Sequence, residues 1–199
     1  MTSDLDTQHA KALRSVGDVA SFPSYAELAR TLVARGALAA IATLTHDGHP
    51  YTSPAPISVD DDGLPIICVS ELAEHTRNLR RSRFASVLVQ PPPVDGADPL
   101  SLDRATYVGE FHPFEPSDAD VERHLGAHPY AADYVGFADF GWWRFDLQHL
   151  RYVGGFGVMG WASSHDVATA SADPIIPIAA PLVQLLNADH AADCRTIAR

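Results

Sequence analysis

A chain of 199 residues, 46% hydrophobic and 20% charged, has globular proportions and the length of one generous domain, which buries about 70% of its unfolded surface on folding. Fourteen basic against 25 acidic side chains give a formal charge of -11, which disfavours nucleic acid and anionic lipid as partners and leaves room for one local anion site. With no apolar run near the ~18 residues of a membrane span, no hydrophobic leader core, and two distant cysteines, Cys68 and Cys194, a membrane protein, a disulfide scaffold and a thiolate zinc site are excluded and a cytoplasmic protein is expected.

Residues 1–21 are polar and aperiodic and are expected to form a flexible arm. Ser24 with Glu27 three residues later makes a capping box, and Tyr25, Leu28, Leu32 and Val33 recur at helical spacing ahead of Gly36, so a helix is predicted from Tyr25 to Arg35. From Ala37 the pattern turns strand-like. The runs ALAAIATLT, PYTSPAPISV and LPIICVS, separated by Asp47-Gly48 and Asp62-Gly63, predict a three-stranded antiparallel meander. Pro54 and Pro56 cannot donate to a ladder, so the second strand must be an edge, a bulge, or a place where something other than a strand approaches the backbone.

ELAEHTRNLRRS predicts a short helix, with Arg77, Arg80, Arg81 and Arg83 as the densest positive cluster of the chain. The strands FASVLVQ and RATYVGEFHPF follow, then a helix opened by Pro116, Ser117 and Asp120 and running to Leu125, and a helical turn near Ala131 to Val135. Two long strand-like runs, Phe140 to Leu147 and Tyr152 to Trp161, come next. About seven short strands joined by hairpins predict a mainly β (α+β) fold, a small antiparallel barrel with flanking helices. The prolines of ADPIIPIAAPL read as an extended linker, and LVQLLNADHAADCRTIAR as an amphipathic helix. The expected organisation is an arm over 1–21, a barrel domain over 22–165, and a linker with a helix over 166–199 that begins a truncated second domain.

Several patterns are candidate sites. Gly155 to Gly160 fits GxGxxG, but no helical period follows it, so glycines accommodating a bulge, a corner or a close backbone are expected in place of a dinucleotide site. His124 and His128 have the spacing of a shared metal, yet Leu125 stands where a zincin has Glu, and Gly126 and Pro129 weaken the helix; a helix end with His128 capping carbonyls is expected, and no metal site. His46 and His49 read as solvated turn residues. No GxSxG elbow occurs. His75-Thr76-Arg77-Asn78 places a guanidinium, a hydroxyl and an amide at a helix start after a strand, a setting for a phosphate; the alternative is an exposed helix with ordinary surface arginines. A proline-interrupted strand beside that helix start suits a flat ring, and flavin mononucleotide (FMN) combines a flat ring with a phosphate.

Five segments taken in order, GALAAIATLTHDGHPYTSPAPI, SELAEHTRNLRRSRFASVLV, DPLSLDRATYVGE, HPYAADYVGFADF and RYVGGFG, resemble the FMN-binding split-barrel proteins related to pyridoxamine 5'-phosphate oxidase, and more closely their haem-utilisation branch. The resemblance covers residues 24–164, and its last two segments are the most specific. It implies a six-stranded antiparallel split barrel that forms a homodimer with FMN-type sites in the clefts between subunits. By position it sets Ser53, Pro54, Ala55 and Pro56 against the isoalloxazine ring, and Ser70, His75, Thr76, Arg77 and Asn78 near the phosphate. Where the oxidases carry an adjacent Arg-Lys pair this chain has Glu74-His75, which leaves Arg77 as the nearby guanidinium. His149 and His190 are candidate axial haem ligands. The implied activity is an FMN-dependent oxidoreductase acting on a small planar substrate, haem or another tetrapyrrole. A haem-binding or regulatory adaptor that kept the barrel without the flavin, and a flavin or deazaflavin reductase of the same fold, stay open beside it.

Overall fold

Two glycine turns start the barrel. Gly48 (φ 79°) and Gly63 (φ 72°) take the left-handed conformation that glycine adopts without a Cβ penalty, and the chain folds back twice through β1 (Ala37–Leu44), β2 (Pro50–Val59) and β3 (Pro65–Ser70). The computed structural model describes residues 22–191 apart from 36, 93–95, 97 and 156. The expected arm, Gly36, Cys194 and the end of the tail therefore lie outside the described residues.

Ahead of the barrel, α1 (Tyr25–Ala34) begins at the predicted capping box, in which the Ser24 hydroxyl accepts from the Glu27 N–H and the Glu27 carboxylate accepts from the Ser24 N–H. After β3 come α2 (Glu74–Arg81), β4 (Phe84–Val89), β5 (Asp103–Pro113), α3 (Asp118–Ala127), a 3-10 turn over Pro129–Asp133, β6 (Phe140–Gly154), β7 (Met159–Ser163), α4 (Ser164–Thr169) and α5 (Ile176–Asp189). The strand order is β3-β2-β1-β4-β5-β6-β7, and β3 pairs back onto β6 from Ile66–Arg144 to Ser70–Phe140. Six antiparallel strands thus close a barrel, as the resemblance implies, and β7 extends β6 outside it.

Inward positions alternate along the strands, as a barrel interior requires. Ile41, Ile57, Ile67, Val87, Tyr107, Phe111, Phe145 and Leu150 fill it. The buried face of α1, with Ala26, Ala29, Leu32 and Val33, covers the end near the Gly63 turn, where the Tyr107 hydroxyl donates to the Ala29 carbonyl (3.0 Å). Connecting the end of β3 to the start of β4, α2 lies at the opposite end and packs on β1 and β2.

Two expectations are corrected. The run from Phe140 does not stop at Leu147 but continues to Gly154, and β7 starts only at Met159, because Gly155 and Gly157, both at φ 85°, form the hairpin turn in place of lying within a strand. Gly160 does serve a close approach, since a Cβ there would overlap the Tyr25 ring. The proline-rich stretch is no extended linker either: α5 already begins at Ile176, with Pro177 in the first turn, where a missing N–H is tolerated, and Pro181 inside the helix.

Candidate functional site

The site begins where the barrel is incompletely zipped. From Pro50 to Ile57, β2 pairs with β1 alone, and β3 joins it only at Ser58 and Val59. Pro54 and Pro56, opposite Ala40 and Leu38, sit in this one-sided stretch, which is the edge that proline requires. Alternation then sorts the four ring-facing candidates. Pro54 and Pro56 turn outward, Ser53 turns toward α2, and Ala55, 1% exposed, belongs to the core.

Beneath α2 lies a polar cluster. The Ser53 hydroxyl and His75 Nδ1 share a hydrogen bond of 2.8 Å, and burial lowers the pKa of His75. Thr76, fully buried, donates to the Ser70 carbonyl (2.7 Å). Asn78, also fully buried, donates from Nδ2 to Thr43 Oγ1 (3.1 Å), and the Thr43 hydroxyl donates to the Tyr51 carbonyl (3.4 Å). Ser70 Oγ donates to Asp139 Oδ2 (3.0 Å) and accepts from the Leu72 N–H (3.1 Å). Arg77 is exposed and paired with Glu74 (3.4 Å), and Arg80 grips both oxygens of Glu71, holding that carboxyl below its ordinary range.

These residues do not fit a bound phosphate. The Thr76 and Asn78 side chains are turned into the protein, the Ser70 hydroxyl points its proton at a carboxylate, and the two guanidiniums are matched by Glu71 and Glu74, with Asp139 a third negative group. The hydroxyl, amide and guanidinium donors nearest the helix start are thus engaged within the protein.

On the outer side of the same strands the surface is mostly apolar, with Thr52, Ser53 and Gln90 as its polar members. Leu38 and Ala40 of β1, Pro54 of β2 and Leu88 of β4 line a shallow groove of about 290 Å³. Leu38 is 62% exposed, and Phe84, on the same outward register of β4, is 58% exposed. Small or branched apolar side chains on a one-sided strand fit one face of a flat apolar ring.

The two helical histidines are anchors of α3 and the following turn. His124 Nδ1 bonds the Ser58 hydroxyl (2.9 Å), His128 Nε2 donates to the Ile57 carbonyl (2.7 Å), and the Tyr130 hydroxyl donates to His128 Nδ1 (3.3 Å). His128 thus does cap a carbonyl, though one on β2. Among the described residues no group of three or more His, Cys, Asp or Glu is placed to hold a metal. His149 is exposed on the part of β6 that pairs with β7, away from the β2 edge, and His190 ends α5. Cys68 is buried, which pushes its thiol up to about 11 and keeps it unreactive at neutral pH.

Sequence reasoning missed Asp139, Thr43, Ser58 and the outer face. Asp139 reaches Ser70 across 69 residues, and no local signal marks that pair. The outer face did leave a trace: ALAAIATL is apolar at nearly every position, whereas a strand with one wet face alternates.

A sequence profile described as CREG, beta-barrel matches residues 21–168. The chloroplastic non-canonical heme oxygenase HOZ of Arabidopsis thaliana is 30% identical over 200 residues, covering 96% of this chain and 61% of that protein. The chloroplastic glutamyl-tRNA reductase-binding protein of the same plant is 25% identical over 172 residues, 86% of this chain and 50% of that protein. The chain therefore spans about half to three-fifths of the length of these relatives. A solved structure of a haem-binding protein from Mycobacterium smegmatis superposes with a TM-score of 0.73 at 38% identity, over 85% of this chain and 70% of that one.

Proposed function

The chain belongs to the CREG β-barrel family, and from that membership we propose that it binds haem as a homodimer, with the macrocycle laid along the open side of β2 and closed in by a second copy. The observation that carries the reading is the apolar outer groove beside a one-sided strand, in a chain 38% identical to a haem-binding protein. Small-molecule sites usually enclose roughly 300 to 1,000 Å³. A groove of about 290 Å³ lies at the bottom of that range and is open to one side, where a second copy would supply the other wall.

Pro54, Leu38, Ala40 and Leu88 would meet the ring face, with Ser53 at its margin. Haem, when bound, supplies the redox chemistry of its iron, and the protein's part is to hold the plane and keep water from it. The flavin half of the sequence expectation is not carried forward, because Thr76 and Asn78 spend their donors inside the protein, Ser70 donates to Asp139 and Arg77 is paired with Glu74. Leu38→Glu tests the reading. Its expected effect is a fall from twice the chain mass to the single-chain mass, with haem affinity at least tenfold weaker, because charge at an apolar interface core is strongly disfavoured. A variant that keeps both the wild-type mass and the wild-type affinity would remove the outer face from the site.

A further inference from the structure

Along β1 and β2 the inward side chains are apolar at Ala39, Ile41, Ala55 and Ile57, and become polar only at Thr43 and Ser53, beneath α2. From above, His75 and Asn78 meet them. Three residues apart, the two share one face of the helix, with Cβ atoms about 5–6 Å apart. Each makes one hydrogen bond to the strands and leaves one buried polar atom without a protein partner, Nε2 of His75 and Oδ1 of Asn78. Asn78 is fully buried, so bulk solvent does not reach its oxygen.

The hydrogen-bond directions make these two atoms complementary. Thr43 donates to the Tyr51 carbonyl and so accepts from Asn78 Nδ2, which leaves Oδ1 as an acceptor. His75 Nδ1 is the side-chain partner of Ser53, and if the Ser53 hydroxyl donates to it, the imidazole proton sits on Nε2. A donor and an acceptor on one helix face, not in direct contact, are what a single water satisfies by accepting from one and donating to the other. Burial, which lowers the pKa of His75, keeps the ring neutral and consistent with one N–H.

We propose that one ordered water beneath α2 bridges His75 Nε2 to Asn78 Oδ1, fixing His75 as the Nε2–H tautomer and leaving Ser53 as a hydrogen-bond acceptor at the open side of β2. A ligand lying along that side is then read at Ser53 by an N–H or O–H donor, and a carboxylate or phosphate oxygen is rejected there. This inference stands on the polar cluster alone and does not depend on haem.

Long-range proton–nitrogen correlation on the isotopically labelled full chain reads the tautomer directly, with His75 assigned by its loss in His75→Gln. The expected result is a neutral ring protonated at Nε2, with cross-relaxation to a slowly exchanging water. Ser53→Ala should move the ring toward the Nδ1–H form, and Asn78→Leu should abolish the water cross-peak. A wild-type ring protonated at Nδ1, or an Nε2–H without a water cross-peak, would overturn the proposal whether or not either variant folds.

Discussion

Replacing Gly109 by alanine is expected to destabilise the barrel by about 3 kcal/mol, near the upper end for overpacking. Gly109 lies at the register shift between β5 and β6, where Val108 pairs with His149 and Gly109 with Leu147. A Cβ built there would overlap the Asp146 carbonyl oxygen and sit 3.2 Å from the Gln148 backbone nitrogen. Both obstacles are backbone in a paired strand and cannot swing aside as a side chain could. The β5 and β6 pairing adjoins the β6 segment on which β3 closes the barrel, so a shift there propagates toward the β2 opening. Gly136→Ala is the control, since a Cβ at Gly136 meets nothing within 4 Å and its effect should stay within about 0.5 kcal/mol. Urea denaturation of the two variants distinguishes them. A Gly109→Ala protein within about 1 kcal/mol of wild type would mean that the bulge is soft.

The second large effect is acid lability centred on His124. Its ring is fully buried, 5.0 Å from the His128 ring and 5.1 Å from that of Trp142, and burial followed by the neighbouring His128 pushes its pKa from 6.5 down to about 4. Between those two values the unfolded chain takes up a proton that the folded chain refuses. Stability is therefore intact above about 6.5 and falls as the pH drops toward 4. At about 1.4 kcal/mol per pH unit the loss approaches about 3 kcal/mol. His75, lowered by its own burial, acts in the same direction. His124→Phe should start lower at neutral pH, having lost the Ser58 bond, and should show a flatter acid limb than wild type by about the same 3 kcal/mol. Denaturation at pH 7 and pH 4.5 measures both, and an equally steep limb in the variant would shift the lability to other groups. Because His124 and His128 tie α3 to Ser58 and Ile57, the β2 edge is the first contact that acid should loosen.

What the sequence could and could not disclose follows the range of the interactions. Capping at Ser24 and Ser117, the Asp-Gly turns and the proline edge of β2 are local and were readable. A small antiparallel barrel followed from strand count and hairpin spacing, and its six strands from the family resemblance. Gly155 and Gly157 misled because a glycine between two apolar runs looks the same whether it bulges a strand or turns it, and only the backbone angle separates the cases. Pro177 and Pro181 misled because composition argued for extension, while Pro177 falls in the first turn, where a missing N–H is tolerated, and the helix continues through Pro181.

The phosphate cluster shows the limit most sharply. His75, Thr76, Arg77 and Asn78 are adjacent, but the helix turns three of them inward and leaves Arg77 outside beside Glu74, and Asp139 arrives from a loop far along the chain. Residue types at a helix start suggested an anion, whereas their directions and the carboxylates around them argue against one. The apolar groove, by contrast, was written in a strand with no wet face.

Visible absorption of the purified chain titrated with haem, run beside the same titration with FMN, tests the central claim most directly. The account predicts a saturable change in the haem spectrum at micromolar or lower concentration, weakened at least tenfold by Leu38→Glu, and no saturable response to FMN. A chain whose haem spectrum matches free haem throughout, or one that takes up FMN in preference, would contradict it.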